Sequence, residues 1–212
     1  MKTRSILAAL ALLSLTILVS CGDDNGANAN GGPEYSRATP EGLIRALAFA
    51  LEEEEIDVYA ECLHDEYLFE FLPEDADSAG LPPDGPWWGK TEDVEATSNM
   101  FAAAFVTRIE CELPVDFGPW ATDEGLGFRL DAIIKVTSEA GGYTEPRVYM
   151  VQDSYLYAEV VTDPYDGGKW VFKALVEAKK EGLTAGPGPD PGRLTEPTTF
   201  GGIKVLFRPE GL

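Results

Sequence analysis

At 212 residues with 44% hydrophobic side chains, the chain is long enough for one globular domain with tails and too short for two full domains. Its formal charge of -21, from 37 acidic and 16 basic side chains, repels nucleic-acid phosphates and anionic lipid headgroups, so neither is expected as a partner. A single histidine excludes metal sites and catalytic schemes that need two imidazoles.

Lys2 and Arg4 precede an uncharged apolar run over residues 6–19, and Ser20 stands before Cys21. The run, about 14 residues, falls short of the roughly 20 a spanning helix needs. Leu18-Val19-Ser20-Cys21 resembles the lipobox of bacterial lipoproteins, in which the cysteine is diacylated on sulfur and the peptide is cut before it. The resemblance implies a signal peptide over 1–20, an acylated Cys21, and a domain in the bacterial cell envelope, outside the cytoplasm. Acyl chains would hold it to a membrane at about 0.8 kcal/mol per buried methylene. Loss of Lys2 and Arg4 leaves 14 basic against 37 acidic side chains, a charge of -23, so charge contributes nothing to the anchoring. Residues 21–36, rich in Gly, Asn and Asp, cannot bury surface and read as a flexible tether.

Thr39-Pro40-Glu41 supplies a hydroxyl cap, a first-position proline and a first-turn acid, and predicts a helix to about residue 53. Glu52 to Glu55 lie where the helix dipole is negative and favour a break before Ile56. The apolar spacing of Ile56, Tyr59, Ala60 and Leu63 then predicts a second helix, and Tyr67, Phe69 and Phe71 alternate as the aromatic face of a strand. Residues 72–89, with four prolines and three glycines, predict a long loop in which Trp87 and Trp88 either close on the core or meet a ligand. A third helix is expected from Thr91, with Val94, Met100, Phe101, Ala104 and Phe105 on its apolar side.

Four strands follow. Residues 108–115 and 128–137 alternate apolar and polar side chains; 147–161 carries large residues on both faces, with Tyr149, Tyr155 and Tyr157 on one; 170–176 returns after the hairpin signal Asp166-Gly167-Gly168. Residues 182–197 read as a Gly/Pro-rich excursion, and 198–212 as a short terminal strand, Ile203-Val205-Phe207, with a tail.

This order resembles the NTF2-like superfamily and its SnoaL-like branch. Ile56-Asp57-Val58-Tyr59-Ala60-Glu61-Cys62-Leu63-His64-Asp65-Glu66-Tyr67-Leu68-Phe69-Glu70-Phe71 looks like the family's second helix running into its first strand, and Gly168-Lys169-Trp170-Val171-Phe172 like a closing strand. The resemblance covers about 39–180 and implies an α+β cone over 37–181, a curved antiparallel sheet wrapped against about three N-terminal helices. Some members are isomerases, dehydratases or cyclases, while others bind ligands or form dimers, so fold does not choose function.

His64 and Asp153 are the candidate catalytic groups: His64 where the second helix meets the strand, Asp153 among tyrosines. Asp131 and Glu159 are further strand acids, with Asp131 on a wet face beside Lys135. Cys62 and Cys111 are either a disulfide or two separate buried thiols. Nothing supplies a Ser-His-Asp set, a phosphate-cradling loop or a dinucleotide fingerprint, so no cofactor or metal is expected. The leading expectation is non-enzymatic binding of a small apolar ligand, through a cone lined by Tyr59, Tyr67, Phe69, Trp88, Phe105 and Tyr155, or of a protein partner through the sheet face, including a homodimer. The alternative is a SnoaL-like isomerase or hydro-lyase.

Overall fold

In the computed structural model, residues 35–82, 85–139, 147–180 and 195–208 are described. The cleavage segment, Cys21, most of the tether and most of the Gly/Pro excursion lie outside them. Helix α1 (Pro40–Glu52) begins as its sequence dictates: Thr39 Oγ1 accepts from the Gly42 amide at 3.0 Å, and Leu43, Leu47, Ala50 and Leu51 form the buried stripe. The glutamate run ends the helix, Glu54 turning the chain at φ +58°, and α2 (Ile56–Glu61) follows. Strand β1 (Leu63–Glu70) starts earlier than its alternation suggests. Its register against β9 slips between Leu63 and Leu68, so residues 64–67 form an irregular stretch before Tyr67 and Phe69 turn inward.

The expected long loop contains structure. Pro73 at the first position, Glu74 and Asp75 in the first turn and Gly80 at φ +70° frame a short helix, α3 (Pro73–Ala79). Strand β2 (Trp87–Gly89) pairs with β1 and buries Trp88 while exposing Trp87. Helix α4 (Lys90–Ala102) buries Asp93, Ala96, Thr97 and Met100, which are one face of a helix at spacings of three and four.

The strands after α4 are β3 (Val106–Glu112), β4 (Val115–Ala121), β5 (Leu126–Asp131), β6 (Ile133–Ser138), β7 (Arg147–Val151), β8 (Ser154–Asp163), β9 (Lys169–Lys179) and β10 (Thr195–Thr198). The two long runs expected over 128–137 and 147–161 are each divided, at Ala132 and at Gln152-Asp153. Their first and second parts serve different sheets: β5 pairs with β8 in a sheet ordered β2-β1-β9-β8-β5-β4, and β6 pairs with β7 in one ordered β10-β7-β6-β3. Leu113-Pro114 divides β3 from β4 in the same row, where the Asp131 amide donates to the Pro114 carbonyl at 2.9 Å. Aligned breaks give the β surface its curvature. Two ladders are parallel, β1 with β9 and β10 with β7, and the other described ladders are antiparallel.

Helix α1 packs on β3 and β9, and α4 on β1 and α2. The expected terminal strand is instead helix α5 (Phe200–Leu206), lying against α3 and α4. Ile203-Val205-Phe207 alternates, but Phe200, Ile203 and Phe207 also repeat at helical spacing. The Thr199 side chain decides between the two periods by accepting from the Gly202 amide at 2.8 Å, as an N-cap does. At the other end of the described fold, Arg37 reaches across to the β8–β9 turn. Its Nη2 pairs with Asp166 at 2.6 Å and Glu61 at 3.1 Å, its Nη1 donates to the Glu61 carbonyl, and its own carbonyl accepts from the Trp170 amide at 2.8 Å.

Candidate functional site

The interior of the molecule holds an ion pair. Asp93, from the first turns of α4, is 0% exposed, and Lys204, from the middle of α5, is 2% exposed. Lys204 Nζ donates to both Asp93 oxygens, at 2.5 and 2.6 Å, and to the Tyr59 hydroxyl at 2.9 Å. Tyr59 donates in turn to Asp93 Oδ1 at 2.6 Å and Tyr67 to Oδ2 at 3.2 Å, so the carboxylate accepts four hydrogen bonds from three groups. Three rings wall the ammonium: Phe200 at 4.5 Å, Phe69 at 4.6 Å and Tyr59 at 5.5 Å from their centroids. The Thr97 hydroxyl, one helical turn beyond Asp93, is buried and makes no hydrogen bond of proper geometry.

Burial dominates the electrostatics. It pushes the Tyr59 and Tyr67 phenols well above their ordinary value, and the Asp93 charge adds to the push. It lowers the Lys204 ammonium, against which Asp93 works. A second buried carboxylate fastens α5: Glu177 accepts from the Ser154 hydroxyl at 2.7 Å and from the Phe200 and Gly201 amides, each at 2.8 Å. Burial raises Glu177, and these hydrogen bonds oppose the rise.

Among solved structures the chain is similar to a Novosphingobium aromaticivorans protein provisionally described as an aromatic ring hydroxylase. The identity is 17%, the match covers 70% of this chain and 92% of that one, and the TM-score is 0.51. It is equally similar to the Kfla4162 protein of Kribbella flavida, at 14% identity, 68% and 90% coverage and a TM-score of 0.51. The fold is NTF2-like. No protein-family model matches the sequence, and no curated protein matches it. At these identities the likeness carries the architecture of an NTF2-like cone and not its chemistry.

Within the NTF2-like frame the expected site residues divide. Tyr59, Tyr67, Phe69 and Trp88 are buried in the core, where Phe69 meets Phe71 edge-on at 4.8 Å and Phe200 at 5.7 Å. Phe105 is not with them: it lies just before β3, 46% exposed and stacked on Phe207 at 5.8 Å. Tyr155 is half-buried beneath the Arg129 guanidinium, 4.6 Å from its ring. Nor do the catalytic candidates enter the interior cluster. His64 sits half-buried in the irregular start of β1, its Nδ1 accepting from the Glu66 amide at 3.1 Å. Asp153 is exposed at the break between β7 and β8, which removes it from the alternation that grouped it with the tyrosines. Of the two alternatives for Cys62 and Cys111 the structure shows two separate buried thiols, Cys62 pushed up to about 12 by burial and Cys111 raised by the same cause.

The two charged members of the cluster escaped the sequence reading, although each left a trace. Asp93 falls in register with Ala96, Thr97 and Met100, a polar residue on the buried stripe, yet in sequence it reads as a first-turn acid. Lys204 interrupts an apolar run, where a strand reading turns it outward.

The outer face of the six-stranded sheet is the other feature. Phe117, 61% exposed on edge strand β4, stacks on Trp120 at 5.8 Å, and Trp120 lies over Gly127, where a Cβ would come within 2.1 Å of the indole. Arg129 pairs with Asp116 and covers Phe117 and Tyr155; opposite it, on β8, Tyr157 is 38% exposed, and Val176 continues the row on β9. The depression between β1 and α4, by contrast, is lined by charges already paired, Lys90 with Asp65 and Lys173 with Glu66.

Proposed function

We propose that this chain is a non-enzymatic binding domain, tethered to the cell envelope through Cys21, that associates with a second copy of itself through the outer face of the six-stranded sheet. The observation that carries the reading is the state of Asp93. A carboxylate inside an NTF2-like cone could act as a general base only with a free lone pair and a path to substrate. Here it accepts from Lys204, Tyr59 and Tyr67 at once, and His64 and Asp153 are elsewhere.

The outer face offers what the interior does not. Phe117, Trp120, Tyr155, Tyr157 and Val176 supply rings and apolar area, the residue types that anchor interfaces. It is also a place where the chain's acidity is locally balanced: Arg129 faces Asp116, and Lys180 faces Asp131 at 2.5 Å. Two copies with the same negative charge meet most easily where each carries both signs, because repulsion from the remaining charge is screened beyond roughly 8 Å at physiological salt.

Sedimentation over a concentration series tests the association. The dimer expected for the unmodified chain should dissociate in Phe117→Glu/Tyr157→Glu, which buries charges against an apolar patch. A dimer that survives both substitutions, or a monomer at every concentration, overturns the reading. Cys21→Ser should move the protein from the membrane to the soluble fraction, and unchanged fractionation rejects the anchor.

A further inference from the structure

We propose that Asp93, Tyr59, Tyr67 and the surrounding rings form a recognition site for a primary alkylammonium ion, and that in this structure the chain fills the site itself with Lys204. The inference concerns the interior and is independent of the outer-face association. Lys204 Nζ has three protons and three acceptors, Asp93 Oδ1, Asp93 Oδ2 and the Tyr59 hydroxyl. The match is specific to a primary ammonium: a quaternary ion has nothing to donate, and a neutral alcohol brings one proton and no charge. The rings of Phe69, Phe200 and Tyr59 add cation–π attraction and exclude water, which strengthens each contact.

The group in the site is supplied by a different element from those that supply its acceptors. Lys204 comes from a seven-residue helix, 111 positions from Asp93, and the ammonium's acceptors belong to α2 and α4, with the Tyr67 donor on β1. Tyr59 and Tyr67 both donate to Asp93, and only Tyr59 also accepts from Lys204, so the site keeps a framework of its own when the ammonium leaves. The Thr97 hydroxyl, buried beside Tyr59, adds a polar group at the edge of the site.

The test removes the built-in ligand and supplies it from solution. Lys204→Ala deletes three carbons and the ammonium, a fragment equivalent to n-propylammonium. In the purified full chain, Lys204→Ala should melt well below the unmodified protein. n-Propylammonium chloride at ten times its dissociation constant should then raise the melting temperature by about 3–6 °C. Tetramethylammonium chloride at equal ionic strength and n-propanol should not. Neither Asp93→Asn/Lys204→Ala nor the unmodified chain should respond selectively. If Lys204→Ala is unfolded at the starting temperature, circular dichroism reads the same comparison as recovered folded fraction. An equal response to all three additives, no response, or a response that survives loss of the Asp93 charge overturns the proposal.

Discussion

The Asp93–Lys204 pair illustrates the difference between retaining a buried ion pair and breaking one. Desolvating two charges costs several kcal/mol each, and their attraction repays it only when the remaining donors and acceptors are satisfied, which Tyr59 and Tyr67 accomplish. Lys204→Met keeps the volume and strands the carboxylate, so urea denaturation should show a loss of about 3–5 kcal/mol. Adding Asp93→Asn should recover a large part of it, because the stranded charge, more than the lost contact, sets the cost. The tyrosines give a pH signature. The Tyr59 and Tyr67 phenols stand above their ordinary value of 10.0 in the folded chain, so the folded state holds these protons when the unfolded chain releases them. The stability they contribute is complete below pH 10 and falls as pH rises through their folded values. In a spectroscopic titration of the native protein, these two phenols should ionise only above the ordinary phenol value of 10.0. The aromatic members of this cluster were legible because Tyr67, Phe69 and Phe71 alternate cleanly. Asp93 and Lys204 were not, since a charged side chain is assigned to solvent until its partner is known, and here the partner comes from the other end of the chain.

At the scale of elements, α5 shows how a cap outweighs a pattern. Gly201 in its first turn sits where a Cβ would approach the Phe71 ring to 2.7 Å and Glu177 Oε2 to 3.1 Å. Helix propensity alone makes Gly201→Ala stabilising by about 1 kcal/mol, but displacing a core phenyl costs typically 1–3 kcal/mol. Thermal unfolding should therefore show a net loss of stability, and a gain would mean that α5 is less tightly seated than its contacts describe. Helices α1, α2 and α4 were readable because caps and apolar spacing agree. Helix α3 was hidden by the prolines and glycines around it, although its own Pro73 and Gly80 are start and stop signals. The strand breaks were invisible for other reasons: alternation continues across Ala132, and at Gln152-Asp153 large residues on both sides of the run hide the change of phase that buries both Val151 and Ser154, so only pairing with different neighbours shows where one sheet ends.

The described domain is a curved β surface packed on its helices, and the chain that carries it has a large excess of acid. Self-repulsion of a chain at -21 should make both stability and association depend on salt. Raising sodium chloride from roughly 20 mM to roughly 500 mM, which shortens the screening length several-fold, should raise the melting temperature and favour the dimer. A fall in both would assign the net charge a binding role in place of a merely repulsive one. Arg37 also decides how the domain bears tension. A pull entering at Tyr35 meets the guanidinium before it meets α1, and the grip on Asp166 and the Trp170 amide carries the load into β8 and β9, the two longest strands described. Force is shared along a ladder of hydrogen bonds, and the first helix is spared being unwound turn by turn.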